Sequence, residues 1–348
     1  MPALLACATD DDCPEAQRCD GKVCGCPTYS PDWCEADATC TTFKHDPQHC
    51  GGCQACGETE ACNEGVCSPA LSELASFPGC QQLLLQPALP WVYVLDDGSG
   101  KLWRLALGAA DAPTLIASGL GTLNAFTVAG DTAYVANDSG IARVALSGGA
   151  VSTVAQASGP VHGVAEAGGK LFFSSGSEVR SIDANAEGGN GALVATAMNG
   201  GLPNGVVVSG DYVLFNADAS FNLEAVQLGP KNHFKLSGPL LGMQLGHRSL
   251  QTDGKYVYSS HDGFLERNAF GGADTRLQNI GDCLSQTTAF AITPQAIYCA
   301  TTGIIAKRLF GDDQSRLLAR NLGPVTSMVV DATNLYVAYA CKLAKLPL

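Results

Sequence analysis

Charge is scarce in this chain, and basic charge is the scarcest. Only 15% of its 348 residues are Asp, Glu, Lys or Arg, and 20 basic against 33 acidic side chains leave a formal net charge of -13. A nucleic-acid partner needs a basic face to hold phosphates, so the composition argues against that class. Long apolar runs are also missing, because no stretch reaches the about 18 residues of a membrane-spanning helix. No segment sustains a 3.6-residue apolar period, which removes helical bundles and helical solenoids. There is no G-x-S-x-G elbow, no H-E-x-x-H, no phosphate loop and no EF-hand loop, so the chemistries carried by those motifs lose their sequence footing.

Cysteine, by contrast, is abundant and uneven: 12 of the 16 fall before Ser68. So many in a polar, loop-rich segment imply disulfides, an oxidising compartment and two domains, a cysteine-rich head over 1–69 and a second domain over 70–348. The protein is therefore expected to be extracellular or in the cell envelope. Met1 to Ala6 supply neither the basic region nor the apolar run of a signal peptide, so a leader is expected to be missing from the sequence. "LLAC" resembles the lipobox of bacterial lipoproteins, which would make Cys7 a lipid attachment site. That role competes with a place for Cys7 in an even set of cysteines.

The first block spaces Cys7, Cys13, Cys19 and Cys24 for two bridges. The second holds Cys26, Cys34, Cys40, Cys50, Cys53, Cys56, Cys62 and Cys67, again an even number, whose connectivity stays open. Cys50, Cys53 and Cys56 with His45 and His49 also have spacings that suit tetrahedral zinc, which competes with the disulfide reading. Asp46, Pro47, His49, Cys50, Gly51, Cys53, Cys56, Cys62, Gly65 and Cys67 give this block a pattern that resembles the stigma-specific protein family, whose repeats recur in bacterial secreted proteins. The resemblance implies a disulfide-bonded extracellular module and no chemistry.

Beyond residue 70 a phrase recurs. The triplets "VYV", "AYV", "LFF", "YVL", "YVY", "AIY" and "LYV" centre on Tyr93, Tyr134, Phe172, Val213, Val257, Ile297 and Tyr336, at intervals of 41, 38, 41, 44, 40 and 39 residues. Short alternating strands at a period near 40, broken by Gly, Asn, Asp and Ser, are the pattern of propeller blades. Seven triplets predict an all-β, seven-bladed β-propeller with four strands, a to d, in each blade.

Strand c repeats as "LWRLAL", "IARVAL", "LERNAF", "IAKRLF" and "LAKLPL", which sets Arg104, Arg143, Arg267, Lys307 and Lys345 in register. Near the outer side of a blade such a row reads as structural and solvated rather than as an anion site. The chain ends after strand c of the seventh blade, and "ELASFPG" at 73 to 79 matches the strand d phrase "LIASGLG" at 115 to 121. Residues near 71–77 are therefore expected to pair with the carboxy-terminal strand and close the ring. A Cys80–Cys341 bridge would lock the closure, and Cys283–Cys299 is the remaining pair.

The b–c and d–a loops of a propeller meet at one mouth, where ligands bind. Here they carry Asp96, Asp97, Asn124, Asn137, Asp138, His162, Asn204, Asp218, His247, Arg248, His261 and Asp262. Taken singly, Asp and Asn in tight turns serve their own backbone. Taken together they are candidate ligand-binding residues, and convergence of His162, His247 and His261 would suit a divalent metal in the channel or a general base. The architecture resembles that of seven-bladed lyases. Two functions follow as expectations: a non-catalytic protein without cofactor that binds a protein or glycan, or a metal-assisted lyase or hydrolase at the channel mouth.

Overall fold

A computed structural model describes the chain apart from residues 1–7, 10–12, 14–16, 21–22, 27–31, 35–38, 44, 64, 89, 108–111, 218–221, 237–249, 262–263, 271–276, 280–286 and 313–314. Among the described residues the strands form seven four-stranded antiparallel sheets and three small hairpins, with a 3-10 turn at Met198–Gly200. The sheets are the blades of a β-propeller. In the first, strands a to d are Leu83–Ala88, Trp91–Asp96, Lys101–Ala106 and Thr114–Ala117. The second runs Leu123–Ala129, Thr132–Asn137, Gly140–Ala145 and Ser152–Gln156, and the third Val164–Ala167, Lys170–Ser175, Glu178–Asp183 and Ala192–Thr196. Pro203–Ser209, Tyr212–Ala217, Asn222–Gln227 and His233–Lys235 make the fourth. The fifth begins at Leu250 and the sixth at Ala289.

Strand b is the most buried strand of each blade because both its faces are covered by neighbouring blades. In the first blade every residue from Val92 to Asp96 is buried. Seams between blades carry apolar clusters of their own, such as Phe172, Val206, Phe215 and Val226 between the third and fourth. The third residue of strand b is Tyr93, Tyr134, Phe172, Leu214, Tyr258, Tyr298 and Tyr336 in the seven blades. Val213, Val257 and Ile297, read from the sequence as centres, thus lie one residue short. A strand buried on both faces shows no apolar alternation to set its phase, which explains the slip.

The seventh blade is Val325–Val330, Asn334–Tyr339 and Lys342–Pro347, completed by Ser72–Ser76. Leu343 lies opposite Ala75 and Ala344 opposite Glu73, with Leu74 bulged out between them. The same bulge occurs in the first blade at Ile116, in the second at Val154 and in the third at Val194. The amino-terminal strand therefore reproduces strand d down to its bulge, as expected from its sequence. The Phe77 N–H donates to the Cys341 carbonyl at 2.8 Å, and Cys80 and Cys341 are joined by a disulfide 261 residues apart.

Two compact units divide the chain: Ser72–Gly303, Lys307–Ser315 and Gly323–Leu348 in one, and Met1–Leu71 with Ile304–Ala306 and Arg316–Leu322 in the other. In the second unit, disulfides join Cys13–Cys24, Cys26–Cys40, Cys34–Cys53, Cys50–Cys62 and Cys56–Cys67. Cys50, Cys53 and Cys56, the thiols a zinc site would use, thus go to three different partners. Cys19 and Cys299 are disulfide-bonded as well, while Cys7 and Cys283 lie outside the described residues.

Asp46 organises the turn before Cys50. Its carboxylate accepts the Gln48 N–H at 2.9 Å and the Thr41 hydroxyl, and lies 2.6 Å from His49 Nδ1. Burial works to raise the Asp46 carboxyl, but these bonds outweigh it and hold the group below its usual range. Gly51 follows at φ 68°, where a Cβ would stand 2.3 Å from the Gly65 carbonyl oxygen. Asp46, His49, Gly51 and Gly65, which carry the family resemblance, are thus joined in one local framework.

Candidate functional site

Antiparallel order within each blade puts the b–c and d–a loops at one end of the strands and the a–b and c–d turns at the other. The first end carries the polar residues singled out by sequence. There the loops are stitched to one another by hydrogen bonds. The Leu120 N–H, on the connection into the second blade, donates to the Gly100 carbonyl at 3.1 Å. Asn137 Nδ2 of the second blade in turn donates to the Leu120 carbonyl at 3.1 Å, so one residue ties two blades.

Asn137 Oδ1 accepts the backbone N–H groups of Ser139 and Gly140, both at 3.0 Å, which closes the b–c turn. Gly140 begins the next strand against Ala155, where a Cβ would fall 2.0 Å from the carbonyl oxygen, so only glycine fits. Asp97 accepts the Gln82 N–H at 2.6 Å, and the buried Asp96 accepts the Ser99 N–H at 3.3 Å and its hydroxyl. Asp96 is occupied by its own turn, whereas Asp97 and Asn137 also tie their turns to neighbouring connections.

Asn124 and Asp138 come together, with Asn124 Nδ2 donating to Asp138 Oδ1 at 3.2 Å across an exposed stretch of rim. His162 is half-buried on the connection into the third blade, and its backbone N–H donates to Ser174 Oγ at 2.9 Å. Its carbonyl accepts the Gly205 N–H at 3.4 Å, next to the half-buried Asn204. His261 ends strand b of the fifth blade. Asp218, His247, Arg248 and Asp262 lie outside the described residues, and with them the convergence of the three histidines. The chemistry on view is a rim of amides and carboxylates held by backbone bonds.

Burial also perturbs groups at the opposite end of the strands. The Tyr336 hydroxyl donates to Asp331 at 2.9 Å and that of Tyr258 to Asp253 at 2.8 Å, in a–b turns of the seventh and fifth blades. Burial and then the neighbouring carboxylate push Tyr336 up to about 12, and both causes raise Tyr258 further. Two of the strand c cations, expected to be solvated and structural, pack on aromatic rings. Arg104 stacks over Trp91 at 4.8 Å and donates to the Leu146 carbonyl of the next blade, while Arg267 lies 4.6 Å from Tyr256.

No family model and no curated protein matches the chain. Solved structures do. Virginiamycin B lyase from Staphylococcus aureus is 12% identical with a TM-score of 0.66, over 80% of this chain and 99% of that one. The WD40 β-propeller domain of Doa1 is 15% identical with a TM-score of 0.62, over 80% and 96%. The extracellular domain of BT4673 from B. thetaiotaomicron is 13% identical with a TM-score of 0.64, over 82% of this chain and 44% of that one. At such identities the likeness shows the fold alone: a seven-bladed β-propeller.

Proposed function

We propose that the protein is an extracellular or cell-envelope binding protein whose b–c and d–a loops hold a protein or glycan partner. The observation that supports this most is the stitched rim, in which Leu120, Asn137 and Gly100 bind adjacent blades through backbone and amide groups. A surface already held in place loses little conformational entropy when a partner docks. Disulfides in the head and at the ring closure suit an oxidising compartment, and the likeness of the head to the stigma-specific family points the same way. No helix among the described residues is long and apolar enough to cross a membrane.

Asn124, Asp138 and Asn204 supply the polar contacts of this reading: Asn124 and Asp138 meet on an exposed stretch of rim, and the half-buried Asn204 stands next to Gly205, whose N–H bonds the His162 carbonyl. The test is a glycan array and an envelope-protein panel probed with the full chain and with N124A/D138A/N204A. Saturable binding that the triple variant loses, at an unchanged melting temperature, supports the rim. Equal binding by both proteins moves the site elsewhere.

A second reading, a metal-assisted lyase or hydrolase, rests on His162, held half-buried at the mouth by Ser174. His247 and His261 would complete a divalent-metal or general-base site. Incubation with a streptogramin B and Mg²⁺, followed by mass spectrometry, tests it. A product of new retention time and fragmentation that H162A fails to form would support the lyase, and a substrate unchanged in both would remove that activity.

A further inference from the structure

The strand c row is interrupted in the third blade and again in the fourth, where Leu214 lies opposite Ala225. Tyr93, Tyr134, Tyr258 and Tyr336 lie directly opposite Arg104, Arg143, Arg267 and Lys345 across strands b and c. In the third blade the same pair is Phe172 and Ser181. A long cation and a phenol are thus replaced by a hydroxymethyl group and a bare ring. Other seams are filled at this level: Tyr212 packs on Phe234 and Phe270 between the fourth and fifth blades, and Arg267 reaches Tyr256 and Phe310 between the fifth and sixth. Between the third and fourth, a half-open cleft of about 430 Å³ remains.

Its walls are apolar. Phe172, Val194, Val208, Val226 and Leu228 line it, and Leu193 at its edge is 51% exposed. Two lysines stand at its mouth: Lys170 at the start of strand b of the third blade, and Lys231 from the c–d turn of the fourth, where the backbone takes φ 57°. Neither lysine makes an ion pair among the described residues, in a chain whose net charge is -13. Asp183 lies opposite Lys170 in the strand pairing without closing a bridge to it. The cleft opens at the a–b and c–d end of the strands, away from the rim described above.

We propose that this cleft binds a small amphiphile, a medium-chain fatty carboxylate, with its acyl chain along Phe172, Val194 and Leu228 and its carboxylate between Lys170 and Lys231. The volume falls in the range of small-ligand sites, apolar walls supply the affinity, and the paired cations select an anionic head. No covalent step is involved.

Calorimetric titration of the full chain with decanoate, below its micelle-forming concentration, tests this. One saturable site per chain is expected. Decyltrimethylammonium, with the same chain and the opposite charge, should bind at least about 10-fold more weakly, and K170M/K231M should lose about 10-fold in decanoate affinity. S181R, which places here the arginine that the first, second and fifth blades carry, should abolish binding while its melting temperature is kept or raised. If S181R melts early, L193E at the exposed edge serves instead, and should bind at least about 10-fold more weakly without loss of fold. Equal binding of the cationic and anionic amphiphiles, undiminished binding by a folded S181R or L193E, or no saturable site would overturn the proposal.

Discussion

Asp331 receives the Tyr336 hydroxyl at 2.9 Å while also accepting the backbone N–H groups of Thr333 and Asn334, each at 2.7 Å. Its counterpart lies two blades earlier, where Asp253 accepts the Lys255 and Tyr256 N–H groups and the Tyr258 hydroxyl. Each aspartate pins an a–b turn to the buried strand beside it. Burial disfavours the charge on both carboxylates, but the donated hydrogen bonds outweigh it and lower their pKa values.

Both limbs of the pH–stability curve follow from that pairing. The folded carboxyls keep their charge to lower pH than an unfolded Asp does, so their stabilisation is complete above about pH 4 and is lost as pH falls below it. The folded tyrosines keep their protons above the ordinary value of about 10, so stability also falls as pH rises through about 10 towards the raised value of about 12 at Tyr336. Melting temperature followed by circular dichroism from pH 2 to 12 should show both limbs. D331N should cost roughly 1.5–3 kcal/mol at neutral pH and flatten the acid limb. An unchanged acid limb would mean that other carboxylates set it.

Ring closure rests on the Cys80–Cys341 bond and on the packing of Ala75 against the strand bearing Leu343, both buried. C80S/C341S should lose roughly 2–5 kcal/mol in denaturant unfolding, because the bond closes a long loop of the unfolded chain. The neighbouring ion pair of Lys342 with Glu73, at 2.8 Å, lies in solvent. K342A should therefore leave the midpoint unchanged. A shift as large as that of the cysteine variant would reverse the order of these contributions.

Gly51 sets the path of the head. Any side chain there meets the Gly65 carbonyl at 2.3 Å and must also hold φ 68°. G51A should misplace Cys50 and Cys53, which bond Cys62 and Cys34. Peptide mapping without reduction should then recover scrambled bridges in place of Cys50–Cys62 and Cys34–Cys53, with Cys80–Cys341 intact. Native pairing throughout would show that this turn tolerates a Cβ.

The ring was legible because its period is written in residues that physics constrains. "ELASFPG" repeats a strand d phrase, and the alanine after each bulge, at Ala75, Ala117, Ala155 and Ala195, occupies the same place in the strand pairing. The phase of strand b in the middle blades was less legible, since burial on both faces erases alternation. The rim could be read as a set of polar turns but not as a site. The sequence shows that Asn137 can serve its own backbone, whereas its reach to Leu120 in the neighbouring connection is a tertiary fact. The cleft beside Ser181 did leave a signal, because the row of Arg104, Arg143, Arg267, Lys307 and Lys345 skips the third and fourth blades. A missing cation is easily passed over, because its consequence depends on what fills the seam.

Arg267 provides the converse test of how seams fill. It lies opposite Tyr258, stacks 4.6 Å from Tyr256 and reaches Phe310 at 5.4 Å, so its stem and head fill the seam between the fifth and sixth blades, whereas Ser181 leaves the seam between the third and fourth open. R267S should lose the stacking, about 1 kcal/mol or more, together with the packing of the aliphatic stem. R267M keeps the stem and loses the charge with its polar contact to Tyr258, so it should recover most of the melting temperature if filling dominates. The pair separates filling from electrostatics. If R267M melts as early as R267S, the row of cations acts through charge, and the open seam of the third blade reflects a lost interaction more than a lost volume.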